Sequence, residues 1–203
     1  MHKWLIHPII ALALTLCVVA YASAQAPPSE ASSFQLESTL SSAQEVTPPL
    51  NSTVTGGEVT IELDAGLSEA QVTLTLEGDA STVTGAHLHC ARPGVDGPIF
   101  LGLVDPGMCD AAQLAAGMLT CTLTNEDIVA EADCMGTVER PITNIAALFF
   151  AARDGLVYFN VHTVANPAGE LRGQLVEADR TTTSEPPPTT PPPPTPPTPP
   201  PPQ

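Results

Sequence analysis

The sequence has few basic residues and few aromatic ones. Its 203 residues include only 6 Lys and Arg against 22 Asp and Glu, which gives a formal net charge of −16. Because so acidic a chain repels phosphate backbones, its charge argues against nucleic acid as a partner. Aromatic residues make up 4% of the chain, but hydrophobic residues make up 43%. The chain therefore has enough apolar side chains for one packed domain.

Recognisable catalytic motifs are also missing. The chain contains no G-x-S-x-G, no H-E-x-x-H and no phosphate-cradling glycine loop. Carboxylate pairs do occur, but 22 acidic residues produce such pairs by chance and they decide nothing. These absences favour a non-catalytic protein, although they leave a small metalloenzyme open.

Long membrane-spanning apolar runs are lacking too. The apolar run Ile9–Ala20 is too short to cross a bilayer comfortably. It follows a short basic start and precedes Ala22-Ser23-Ala24, the layout of a secretory signal with an A-x-A cleavage site. We therefore predict a signal peptide over residues 1–24 and no membrane span after its cleavage. The expected location is the medium, the periplasm or the cell envelope.

The two ends of the remaining chain differ in composition from its middle. Residues 25–33 are expected to form an N-terminal linker, and residues 34–178 a single folded domain. Residues 179–203 are rich in Pro and Thr, and proline runs favour an extended polyproline II rod. We predict a disordered tail that acts as a spacer of about 3.1 Å per residue.

Cysteine usage agrees with export. Cys17 leaves with the predicted signal peptide, and four cysteines remain. An even number in an exported chain, without any C-x-x-C pair, favours two disulfides over a zinc site. Four cysteines allow three connectivities. We favour a short link, Cys109–Cys121, and a long-range link, Cys90–Cys134.

Alternation of apolar and polar residues dominates the middle of the chain, which indicates strands with one buried face. Such spacing without long helices predicts an antiparallel β-sandwich or barrel. Turns are expected at Gly56-Gly57, Asp64–Gly66 and Gly78-Asp79, and short helices at Asn125–Ala132 and Thr143–Ala152. The predicted strands are Phe34–Leu40, Val59–Leu63, Val72–Leu76, Val83–His89, Ile99–Val104, Met118–Thr124, Leu156–His162 and Leu171–Glu177.

Three segments are more specific than this general pattern. They are Leu40–Pro49, with the sequence LSSAQEVTPP; Gly85–His89, with GAHLH, followed by Pro93–Pro98; and Tyr158–Thr163, with YFNVHT, followed by Asn166–Gln174. In this order they resemble the chordin-type (CHRD) domain, over roughly residues 34–177.

The resemblance implies an all-β fold, an antiparallel immunoglobulin-like or superoxide-dismutase-like β-sandwich with one or two short helices. The family has no settled biochemical activity. Together with the predicted signal, the missing catalytic motifs and the tail, the resemblance favours an exported, non-catalytic binding or adhesion module. The expected partner is an extracellular protein or an envelope or cell-wall component.

The only three histidines that follow the predicted signal peptide all lie in these motifs. His87 and His89 alternate with Ala86 and Leu88, so they share one face of their strand. His162 likewise lies on the face opposite the apolar residues of its own strand. If the apolar faces point to the core and the two strands pair, the three imidazoles converge.

Converging imidazoles suggest a metal site as the alternative function. Neutral imidazole suits zinc or copper, and three histidines with an open position are a known arrangement. By the same alternation, Glu170 and Arg172 are expected on this face, and they are candidates for a fourth ligand or for a supporting ion pair. Asn160 is expected as a further polar neighbour. A dinuclear copper–zinc site of the dismutase type needs more histidines than these three. The competing interpretation is a hydrogen-bonded cluster that fixes strand register.

Overall fold

The computed structural model describes residues 34–105, 107–129 and 132–178. The predicted signal peptide, linker and tail (residues 1–24, 25–33 and 179–203) lie outside them. The described residues form an all-β sandwich, which confirms the predicted fold class. Three short α-helices, rather than one or two, accompany these strands. In the described part of the chain, no helix has the length and apolar character needed to cross a membrane.

The described strands form two antiparallel sheets. They are β1 (Phe34–Leu40), β2 (Val54–Leu63), β3 (Glu69–Gly78), β4 (Val83–Cys90), β5 (Ile99–Val104), β6 (Met118–Thr124), β7 (Val157–Thr163), β8 (Leu171–Gln174) and β9 (Val176–Glu177). The first sheet has the order β6-β3-β2-β1-β9, and the second has the order β5-β4-β7-β8. The α-helices are α1 (Ala111–Ala115), α2 (Cys134–Val138) and α3 (Ile145–Arg153).

The hydrophobic core lies between the sheets and follows from the alternation. In β2, Val59, Ile61 and Leu63 are buried, and Val72 and Leu74 of β3 lie opposite Ile61 and Val59. Full burial of one such side chain contributes about 1.5–3 kcal/mol. A one-residue slip would turn all of these side chains outward, so the alternation fixes the register.

Gly56 and Gly57 lie inside β2, so the prediction of a turn there is wrong. The pairing of β2 with β3 is irregular between Val54 and Gly56. A Cβ at Gly57 would lie 2.7 Å from the carbonyl oxygen of Thr75 on β3. Glycine is therefore needed here because two backbones approach closely, not because the chain turns.

The predicted helix at Asn125–Ala132 is wrong as well. Among the described residues of that segment, the structure has only a 3-10 turn at Asn125–Asp127, and α2 begins later in the chain. The side chain of Asn125 accepts a hydrogen bond from the backbone N–H of Ile145 (2.8 Å). Asn125 therefore stabilises the start of α3, a helix that agrees with the predicted Thr143–Ala152 segment within two residues.

The predicted last strand, Leu171–Glu177, is two strands in two sheets. β8 pairs with β7, whereas β9 pairs with β1. Leu175 between them is fully buried, and its backbone N–H donates to the carbonyl of Val157 (3.0 Å). The chain thus crosses from one sheet to the other at this residue and joins them along one edge.

Two disulfides fasten the middle of the chain. Cys90 at the end of β4 is bonded to Cys134 of α2, across 44 residues. Cys109 is bonded to Cys121 of β6, across 12 residues. This is the pairing that the sequence favoured among the three possible ones.

Candidate metal centre

Neighbouring strands bring three histidines together on the outer face of the second sheet. His87 and His89 belong to β4, and His162 belongs to β7, which pairs with β4. Ala86 and Leu88, which alternate with the first two, are completely buried in the core. The ring centroids lie 4.9 Å (His87–His162), 5.9 Å (His87–His89) and 6.1 Å (His89–His162) apart. The structure therefore places the three imidazoles in one cluster.

Each ring is held by one backbone carbonyl. A carbonyl oxygen only accepts hydrogen bonds, so the ring nitrogen facing it carries the proton and the other nitrogen keeps a lone pair. The three bonds run from His87 Nε2 to Asp105 (2.9 Å), from His89 Nδ1 to Gly97 (2.8 Å) and from His162 Nδ1 to Pro167 (3.1 Å).

The remaining nitrogens are buried and have no hydrogen-bond partner among the residues that the structure describes. They are His87 Nδ1, His89 Nε2 and His162 Nε2. One ring nitrogen of each histidine lies within 4.8 Å of those of the other two. A tetrahedral metal with bonds of 2.0–2.1 Å would bring such nitrogens to about 3.3 Å from one another. Small rotations of the rings would therefore complete a three-nitrogen site.

His89 and His162 are kept in the form that binds metals. Burial lowers the pKa of His89 to about 4, and the nearby charges of His87, His162 and Arg172 act in the same direction. Burial also lowers the pKa of His162, with a further contribution from His87. Near neutral pH these rings are therefore uncharged, and their free nitrogens can donate a lone pair.

An aromatic ring and a buried cation support one side of the cluster. Tyr158 stacks on His89 with a centroid distance of 4.7 Å, and its hydroxyl accepts a hydrogen bond from the N–H of Gly97 (3.3 Å). The guanidinium of Arg172 lies 3.5 Å from the centroid of the Tyr158 ring. Tyr158 therefore links Gly97, whose carbonyl holds the His89 ring, to β7 of the second sheet.

Arg172 holds the loop above the sheet rather than pairing with Glu170. Its side chain is 1% exposed, and it donates to the carbonyls of Arg92 (3.1 Å) and Val95 (2.9 Å). Its ion pair is with Asp96, at 3.5 Å, and 75% of the Asp96 side chain is exposed. Screening by water makes that pair weak, so the carbonyl contacts and the Tyr158 ring position the guanidinium.

Glu170 does not join the histidines. Its fully buried carboxylate accepts hydrogen bonds from the backbone of Thr53 and Val54, from the hydroxyl of Thr163 and from the amide of Asn166. The prediction that Glu170 is a fourth ligand or the ion-pair partner of Arg172 is therefore wrong, because its carboxylate is occupied by these donors. Glu170 fastens the start of β2 to the turn that follows β7.

Asn160 is on the histidine face but bonds elsewhere. Its amide donates to Glu45 (2.6 Å) and to the carbonyl of Leu171 (2.8 Å). Burial raises the pKa of Glu45, while Asn160 and Arg172 act in the opposite direction. Asn160 and Glu45 thus form a polar contact beside the cluster.

Sequence reasoning missed the groups that fix the rings. They are the backbone carbonyls of Asp105, Gly97 and Pro167. Every residue has such a carbonyl, so no pattern of side chains could have predicted them. Tyr158 could have been found from the sequence. It shares one face of β7 with Asn160 and His162, and it belongs to the third of the family motifs.

A family model, described as the CHRD domain, matches residues 36–175 of the chain. The match includes the three histidines, Tyr158 and the four disulfide-bonded cysteines. No curated protein and no solved structure matches the chain.

Proposed function

Since the chain belongs to the CHRD domain family, we propose that it is an exported, non-catalytic binding module whose ligand is a transition-metal ion. The ion is zinc or copper, and its ligands are His87, His89 and His162. This proposal keeps the binding role that the sequence favoured, and it takes the metal rather than a protein or wall component as the ligand.

One observation carries the proposal. Three ring nitrogens, one from each histidine, lack a hydrogen-bond partner in the described part of the chain, and they belong to histidines whose ring nitrogens converge. Buried polar atoms are nearly always paired, so three unpaired ones in one place require an explanation. A cluster that served only to fix register would gain by pairing these acceptor nitrogens with neighbouring donors. A bound metal ion accounts for all three at once.

The carbonyl contacts support the same interpretation. Histidines that bind metals usually donate their second ring N–H to a carbonyl or carboxylate, which fixes the tautomer and the ring orientation. All three histidines have such a contact here. The extracellular character of the family and the two disulfides favour a protein that acts outside the cytoplasm.

Titration of the purified exported chain, without the predicted signal peptide, with Zn²⁺ and Cu²⁺ by calorimetry tests the proposal. We expect one ion per chain, and we expect the His87→Ala/His89→Ala variant to bind at least about 100-fold more weakly because two of three ligands are gone. Metal binding should also raise the Tm of the wild-type chain, since the ion binds only the folded state.

Surface carboxylates are the main source of nonspecific binding in so acidic a chain. The Glu58→Ala/Glu62→Ala variant is the matched control, because it also changes two residues on one face of a strand, here exposed on β2 of the other sheet. It should bind metal like the wild type. Equal binding by the histidine variant and the wild type would refute the proposed function.

Gly85 is expected to be required for the position of the His87 ring. A Cβ at Gly85 would lie 2.9 Å from His87 Cε1 and 3.3 Å from His87 Nε2, the nitrogen that bonds to Asp105. We expect Gly85→Ala to weaken zinc binding roughly tenfold, the scale on which contacts outside the ligand set act. Gly56→Ala, also within a strand, is the control for calorimetry. Unchanged affinity in Gly85→Ala would show that the ring position does not depend on this glycine.

A further inference from the structure

This inference rests on the proposed function and specifies its ligand. The geometry points to monovalent copper, bound by three nitrogens alone, as the ion that the cluster prefers over Zn²⁺ and Cu²⁺. No redox step is part of the proposal. It follows from the number of donors, their burial and the charge around them.

The first observation is the number of donors. Among the residues that the structure describes, the group of possible ligands contains His87, His89 and His162 and no fourth His, Cys, Asp or Glu. Glu170, the nearest candidate by sequence, has its carboxylate occupied by donors from Thr53, Val54, Thr163 and Asn166. Zn²⁺ in proteins takes four ligands almost without exception. A zinc ion here would have to recruit its fourth ligand from solvent.

The second observation is that the donor atoms are buried, while His162 as a whole residue is partly exposed. The three free nitrogens are buried, and His87 and His89 are only 5% and 7% exposed as whole residues. One ring nitrogen of each histidine is bonded to a backbone carbonyl, that of Asp105, Gly97 or Pro167. A water ligand needs its own volume and two or more polar partners. A four-coordinate ion would therefore have to bring water to buried atoms, whereas a three-coordinate ion would not.

The third observation is the charge around the cluster. The three imidazoles are neutral donors, so the ligand set supplies no negative charge. Arg172 is buried against Tyr158, which stacks on His89, and its charge acts on His89. The single negative charge of Glu45 can cancel the positive charge of Arg172 but leaves no negative charge over. The Asp96 carboxylate is largely screened by water. The cost of burying an ion rises with the square of its charge, so a divalent ion is penalised about four times as strongly as a monovalent one.

Monovalent copper meets all three conditions. It is a closed-shell ion that accepts three imidazoles in one plane without a fourth ligand. With bonds of about 2 Å, such a plane places the nitrogens about 3.5 Å apart, which the rings can reach by small rotations from their present separations. Sulfur ligands select Cu⁺ most strongly in proteins. Here the selectivity comes instead from coordination number and charge.

The test compares three ions on the exported chain, purified without the predicted signal peptide. Cu⁺ is measured without oxygen by competition with the chromogenic chelator bicinchoninate, and Zn²⁺ and Cu²⁺ are measured by calorimetry. We expect Cu⁺ to bind at least about 100-fold more tightly than either divalent ion, and X-ray absorption of the Cu⁺ form to show three nitrogen ligands. The Glu58→Ala/Glu62→Ala variant should give the same values, and the His87→Ala/His89→Ala variant should lose Cu⁺ binding.

The outcomes separate this inference from the proposed function. If Zn²⁺ or Cu²⁺ binds as tightly as Cu⁺ through the histidines, or if the Cu⁺ form has a fourth ligand, the preference is refuted and the metal site stands. If none of the three ions depends on the histidines, both proposals fail.

Discussion

Replacing Glu170 by glutamine is expected to destabilise the protein by about 3 kcal/mol. The carboxylate is completely buried and accepts hydrogen bonds from Val54 N (2.7 Å), from Asn166 Nδ2 (2.7 Å), from the backbone of Thr53 and from the Thr163 hydroxyl. Glutamine keeps the shape but puts an NH₂ group where donors already point. A hydrogen bond to a charged group contributes about 1.5–3 kcal/mol, and a buried donor left unpaired costs about 1–3 kcal/mol.

The same substitution should change how stability depends on pH. Burial raises the pKa of Glu170, but the hydrogen bonds from Thr163, Asn166, Val54 and Thr53 outweigh it, and the pKa lies below its ordinary value of 4.5. The folded state therefore favours the ionised carboxylate. Its contribution is complete above the unfolded-state pKa and is lost as pH falls through the lowered folded-state pKa. The difference between wild type and Glu170→Gln should be constant near neutral pH and shrink below about pH 4.5.

Urea unfolding at neutral pH and at several values below pH 5 measures both effects. Glu62→Gln is the matched control, because it makes the same chemical change at an exposed position of β2. It should leave the free energy of unfolding unchanged. A Glu170→Gln difference that stays the same at every pH would contradict an ionised carboxylate as the source of the stabilisation.

The strands could be predicted because alternation and core burial express the same physical requirement. The predicted ends of β1, β5 and β6 coincide with those in the structure. The predictions failed where the outcome depended on a distant partner. Gly57 is set by its approach to Thr75, and Asn125 is set by the N–H of Ile145. Neither contact can be predicted from the neighbouring residues in the sequence.

The convergence of the histidines also followed from alternation, once β4 and β7 were assumed to pair. Parity did not place Glu170 correctly, because this residue precedes β8 and follows Gly169, whose φ is 137°. Strand alternation does not determine where a side chain points beside such a turn. The free ring nitrogens depend on backbone carbonyls in loops, so their identity required the structure.

Removing the Cys90–Cys134 disulfide by alanine at both positions should destabilise the protein by about 4 kcal/mol. The bond closes a loop of 44 residues, whereas Cys109–Cys121 closes one of 12. If a disulfide acts mainly by restricting the unfolded chain, the loss of the shorter link costs about 3 kcal/mol. Cys90 and Cys134 are also 0% and 1% exposed, so their truncation removes packed sulfur atoms from the core.

Guanidinium unfolding of the two double variants, under non-reducing conditions, tests this order. The Cys109→Ala/Cys121→Ala variant is the control, since it removes the same bond chemistry from a partly buried site with a shorter loop. The entropy of the loops and the burial of the sulfur atoms both predict that the long-range link contributes more. If the short link proves to contribute more, the segment between β5 and β6 must gain order in the folded state from its disulfide. In that case the stability of the sandwich would depend on the segment between β5 and β6 rather than on the disulfide that joins β4 to α2.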